Sequence, residues 1–192
     1  MQTRQIGIFA ALALLMAATR FSHFGTAVTL ADASLAVFFM AGFYFSLVNR
    51  VALLAFVLLL VEAGAIDYYA TAYQGVSDWC FSPAYWFLIP TYASLWLGGR
   101  WFATMQRNDW ASLAKLAGVA WASTSIAFLI SNASFYLVSG KFADMGAGEY
   151  AAAVAQYYPS YLGSCLMYVA PVAAYYVVRA TLHKPMESAS RG

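Results

Sequence analysis

The sequence predicts an all-α integral membrane protein, a six-transmembrane-helix bundle that forms one domain over residues 1–192. Three observations predict it. Of the 192 residues, 63% are hydrophobic and only 9% are charged, against about 25% charged in an ordinary soluble domain. Mean hydropathy is +0.67. Apolar segments also recur along the chain at lengths near the roughly 20 residues that cross a bilayer. A soluble core has no room for so many apolar side chains, whereas lipid solvates the outer faces of helices whose backbone polar groups are paired internally.

The first segment, residues 5–19, follows Met1-Gln2-Thr3-Arg4. A charged start before an apolar stretch resembles a secretion signal, but five more apolar segments follow, so it reads as the first span. Its Gly7, Ala10, Ala11, Ala13, Ala17 and Ala18 recur at spacings that let another helix approach closely. They are expected to pack inside the bundle; the alternative is a docking face for a partner. The second segment covers 33–48 and the third 51–70, joined by a near-minimal Asn49-Arg50 turn. The fourth runs from Pro83 to Met105, the fifth over 113–139 and the sixth over 160–182. From His183 onward the chain reads as a short solvated tail.

Orientation follows from the ten Lys and Arg residues. With a cytoplasmic N-terminus, Arg4, Arg50, Arg100, Arg107, Lys115, Arg179, Lys184 and Arg191 lie inside, and only Arg20 and Lys141 lie outside. That bias is the positive-inside signature. The outer connections are then 20–32, 71–82 and 140–151, and they gather His23, Asp32, Asp78, Trp79, Cys80, Asp144 and Glu149. A face so rich in polar and aromatic groups is expected to bind something. Trp101 and Trp110, beside the inner cations, read as interfacial belt residues.

Composition excludes several functions. A net charge of +2, without a basic cluster, offers no nucleic-acid surface. Two cysteines at different depths make neither a disulfide framework nor a Cys-x-x-Cys redox pair. Two histidines on opposite faces, His23 and His183, do not complete a zinc site or a bis-histidine haem. No Walker A sequence is present, so the chain is not itself an ATPase; composition does not exclude Ser-His-Asp hydrolysis, although no Gly-x-Ser-x-Gly nucleophile elbow appears.

What remains is an aromatic vestibule. Asp67-Tyr68-Tyr69 closes the third helix, Trp79-Cys80-Phe81 stands in the connection, and Pro83-Ala84-Tyr85-Trp86-Phe87 opens the fourth. Charges inside membrane helices mark functional sites. Asp67 lies at the outer end, whereas Glu62 is mid-span and five residues away, on a different helical stripe. The Cys80 thiol can coordinate a soft metal, react with a ligand or pack. A metal that brings most of its own ligands in a corrin or porphyrin ring needs one axial donor, which a single cysteine supplies. Cys165, inside the sixth helix, reads as a packing residue. Arg20 and Lys141 are the two outer cations able to meet anionic groups on a ligand.

The stretch from Asp67 through Asp78-Trp79-Cys80-Phe81-Ser82-Pro83-Ala84-Tyr85-Trp86, with six short helices and a small-residue first helix, resembles the BtuM family. These are small bacterial cobalamin transporters related to the S-components of energy-coupling-factor (ECF) transporters. The resemblance implies vitamin B12 uptake across the bacterial cytoplasmic membrane, with the cysteine at the position of Cys80 ligating cobalt. It also implies removal of cyanide from cyanocobalamin, with the nucleotide base off the metal. Cys80 is thus the expected metal ligand and catalytic residue, and Asp67, Tyr69, Trp79, Phe81, Tyr85 and Trp86 are the expected pocket. An ECF energising module is a candidate partner beside the lipid bilayer. The alternative is a membrane-bound decyanating enzyme that processes corrinoids without carrying them.

Overall fold

A computed structural model describes residues 3–20, 30–75, 81–105 and 110–182, with side chains through Val178. All regular structure among them is helical: α1 (Thr3–Arg20), α2 (Ser34–Tyr44), α3 (Asn49–Tyr73), a 3-10 turn (Pro83–Phe87), α4 (Leu88–Met105), α5 (Ala111–Val138), α6 (Ala147–Ala155) and α7 (Tyr158–Leu182). Three helices, α3, α5 and α7, are long and apolar enough to cross a membrane.

The second predicted helix is shorter than expected. At 11 residues and 1.5 Å per residue it spans about 16 Å, too little to cross a bilayer. Its surroundings explain this. It packs on α1, α3, α4 and α7, and every residue from Ser34 to Gly42 is buried. A helix sheathed in protein is not held to the thickness of lipid. The connection after it also differs from expectation. Phe45–Val48 form the turn, closed by Ser46 N–H on the Phe43 carbonyl and Val48 N–H on the Phe45 carbonyl. Asn49 and Arg50 instead begin α3, where the Asn49 carboxamide oxygen accepts from Arg100 Nη2 of α4 at 2.6 Å.

Two other boundaries moved for local reasons. The fourth segment divides at Leu88 because Pro90 has no N–H for the Trp86 carbonyl, so an α-helical ladder cannot run back through it. Residues 83–87 wind as a 3-10 turn instead. The expected connection 140–151 runs into α6, whose nine residues are too few to register as a span; it is anchored by Tyr150, which packs on Tyr136 (4.9 Å) and Phe142 (4.8 Å).

The small residues of α1 are divided between the bundle and its outside. Leu12, Met16, Thr19 and Arg20 make the buried face, and Ala13 packs against the core beside them, while Gly7, Ala10, Ala11 and Ala18 are exposed. A Cβ at Gly7 would meet nothing within 4 Å. Larger side chains supply most of the burial here, and four of the six small ones are left outward. On α3 the outward face is Leu53, Leu54, Val57, Leu58 and Val61, an apolar surface exposed among the described residues.

Close helix approach is concentrated between α2 and α4. A Cβ at Gly42 would overlap the Trp96 carbonyl, and one at Gly99 would overlap the Phe39 carbonyl. A Cβ at Gly98 would fall 2.6 Å from the Ser123 Cβ of α5. Backbone therefore meets backbone at the centre of the bundle. Gly42→Ala and Gly99→Ala should each cost at least the 1–3 kcal/mol typical of overpacking, read as a lowered melting temperature in detergent. Gly118→Ala, where a Cβ meets nothing, should be neutral or mildly stabilising.

Candidate functional site

Arg20 ends α1 in an apolar bundle, and its side chain is only 2% exposed. A guanidinium removed from water needs acceptors on most of its N–H groups, and three other helices supply them. Nε and Nη2 make a bidentate pair with the Asp67 carboxylate of α3, at 2.7 and 2.6 Å. Nη1 donates to Ser34 Oγ of α2 at 2.8 Å and to the Tyr92 hydroxyl of α4 at 2.7 Å. The Asp32 carboxylate stands 3.7 Å away.

The partners are themselves held. Asp32 Oδ1 accepts from the Ser34 N–H (2.9 Å) and hydroxyl (2.6 Å). Thr19 Oγ1 accepts the Ala33 N–H at 3.0 Å, tying the start of α2 to the end of α1. The Tyr92 ring stacks on Phe38 at 4.2 Å and lies under the Arg20 guanidinium, 5.8 Å from its centroid. Tyr85, in the 3-10 turn, donates its hydroxyl to Asp67 Oδ2 at 2.9 Å, and Phe81 stacks on Tyr85 at 4.7 Å.

A cavity of about 250 Å³ opens beside this network, bounded by Asp67, Tyr85, Tyr92, Phe87 and the α5 residues Ser131 and Asn132. Arg20 touches it at the base, but the charge it presents is chiefly the carboxylate. The Asp67 side chain is 24% exposed, against 2% for the guanidinium. The wall is therefore acceptor-rich, with aromatic rings to one side.

The residues expected at the site are distributed unevenly. Asp67 and Tyr85 are brought together and line the cavity. Phe81 reaches it through its stack on Tyr85. Tyr69 pairs with Tyr73 at 5.3 Å, away from the cavity wall, and Trp86 is 74% exposed. Cys80 and Trp79, like His23 and Asp78, lie outside the described residues. Cys165 is fully buried, as its position suggested. Glu62 lies about 140° around α3 from Asp67 and takes no part in the network. Among the described residues, no group of three or more His, Cys, Asp or Glu side chains could hold a metal ion.

Arg20 is the correction. As an outer cation it was available to an anionic ligand; in the structure its charge is taken by the chain's own carboxylates. The signal was present in the sequence: a cation at the C-terminal end of the first helix, and carboxylates before the start of the second and near the end of the third, have to pair in an apolar setting. Asn132 and Ser131 were also missed, because small polar residues in the middle of a hydrophobic run carry no pattern of their own.

No known family model matches this chain, and no curated protein is similar to it.

Removing one partner of a buried pair strands the other. Arg20→Met and Asp67→Leu should each destabilise by about 3–5 kcal/mol. The double substitution should recover much of that loss, since the stranded charge is gone. Thermal unfolding of the two single variants and the double variant measures the coupling. Tyr85→Phe, which deletes one hydrogen bond to a charged group, should cost about 1.5–3 kcal/mol.

Proposed function

We propose that the chain captures a corrinoid at the Arg20 end of the bundle, on the outer face of a bacterial cytoplasmic membrane, and carries it inward. The Cys80 thiolate would coordinate the cobalt and displace cyanide from cyanocobalamin by ligand exchange, the cobalt–carbon bond breaking as cyanide leaves with its electron pair and the cobalt stays at the same oxidation state. In this reading six helices make a transmembrane bundle like an S-component. The three long apolar helices cross outright, and the short α2 is carried inside protein.

The observation that supports this reading is a line of contacts. Phe81 stacks on Tyr85, Tyr85 donates to Asp67, and Asp67 faces the acceptor-lined cavity. Cys80 immediately precedes Phe81 in the chain. A soft donor thus adjoins in sequence the aromatic groups that reach the Asp67 carboxylate of α3, a set suited to a ring with apolar faces and polar edges. The cavity is smaller than the 300–1,000 Å³ that encloses a drug-sized ligand. A corrinoid therefore enters it by an edge, with the metal held in front of the connection that carries Cys80.

Cobalt(III) accepts soft sulfur donors, and a metal–thiolate bond adds affinity that no noncovalent contact supplies. The donor is the deprotonated thiol, so capture strengthens as pH rises toward the thiol's titration and weakens as it falls. The exposed Gly7, Ala10, Ala11 and Ala18 face of α1 suits close approach by another helix. It fits the energising module as a partner.

Protein incubated with cyanocobalamin should develop the absorbance of a thiolate-ligated corrinoid, and Cys80→Ala should lose both that spectrum and most of the affinity. An unchanged spectrum in Cys80→Ala sinks the coordination. Proteoliposomes containing the protein should accumulate labelled cobalamin; cyanide release without accumulation would favour the enzyme reading instead.

A further inference from the structure

The cavity beside Asp67 has a definite hydrogen-bonding character. Its buried cation is already spent: Arg20 makes four hydrogen bonds to Asp67, Ser34 and Tyr92. The Tyr85 hydroxyl hydrogen is directed to Asp67 Oδ2, which leaves that oxygen's lone pairs as the group it can offer. Asn132 Nδ2 donates to the Phe128 carbonyl of its own helix at 2.9 Å. That bond fixes the carboxamide orientation and leaves Oδ1 and one remaining N–H for a ligand. Of the Arg20–Asp67 pair, the part shown to the cavity is the carboxylate, its side chain 24% exposed against 2% for the guanidinium.

We propose that this cavity is a subsite for a neutral primary carboxamide and rejects a carboxylate in the same place. A carboxamide brings two N–H donors to Asp67 and Asn132 Oδ1, and its carbonyl accepts the remaining Asn132 N–H. A carboxylate brings no donor and sets a like charge against Asp67, and among the described residues of the wall the one cation, Arg20, is already bonded to Asp67. An ammonium group would satisfy Asp67 but leave the Asn132 N–H unanswered. The proposal rests on the corrinoid reading and sharpens it. Of the corrinoids, the fully amidated ones would be taken, and precursors or hydrolysis products bearing a free acid at the inserted edge would be refused.

The probes are cyanocobalamin and its three singly hydrolysed monocarboxylates, in which one corrin propionamide becomes a carboxylate. Affinities are measured by titration calorimetry on the full chain in detergent, near neutral pH. At least one monocarboxylate should bind about tenfold or more weakly than the parent, since an unmet donor–acceptor set costs on the order of one power of ten. Asn132→Ala, which leaves the Arg20–Asp67 pair untouched, should weaken the parent more than that acid and so shrink the ratio. Equal affinity for all three acids and the parent overturns the subsite while leaving corrinoid capture intact. An unchanged ratio in Asn132→Ala overturns the arrangement argued here. If wild-type protein binds neither parent nor acids, the corrinoid reading fails and the subsite falls with it.

Discussion

A guanidinium almost fully removed from water is the constraint around which this bundle is arranged. Arg20 cannot be buried at the end of α1 without acceptors, and the ones it finds belong to α2, α3 and α4. One side chain therefore fixes where three helices stand relative to the first. The same requirement orients Asp67, because a bidentate pair sets the plane of the carboxylate as well as its position. Tyr85 then follows Asp67, and Phe81 follows Tyr85. The order at this end of the molecule propagates outward from a buried charge.

That arrangement separates two jobs often done by one residue. The cation holds the fold together and is hidden; the carboxylate holds the cation and is partly shown. A ligand meeting this wall meets acceptors, although an arginine lies directly behind it. Counting charges along the sequence would give the opposite impression, because Arg20 is the one Lys or Arg in the 20–32 connection and Asp67 is 47 residues away.

How far the sequence could be read depended on the range of each interaction. The helices were legible because hydrophobic runs are local and long, and residues 113–139 differ little from the helix Ala111–Val138. The length of α2 was not, since its 11 residues are set by neighbours distant in the chain. The break at Leu88 was available in Pro90, but only to a reader asking which carbonyl that proline leaves unmatched. At the site, Asp67 and Tyr85 were found through composition and closeness in sequence. Arg20 is 47 residues from Asp67 and was seen as a charge without a partner. Asn132 comes from a helix whose pattern is simply apolar. The outward face of α1 shows a further limit: spacing identifies small residues, but which side of a helix is covered is decided by what packs there.

The glycine contacts between α2 and α4 bear on motion. Where two helices touch through side chains, rotamers can change and let one slide past the other. Where carbonyl oxygens sit in the space that a Cβ would need, as at Gly42 and Gly99, there is no adjustable layer between them. With α5 drawn in at Gly98 and Ser123, α2, α4 and α5 move as one body. Any rearrangement that opens or closes the Arg20 end then falls to elements outside that body, α1 and α3 among them, which meet it at Arg20 through side-chain hydrogen bonds.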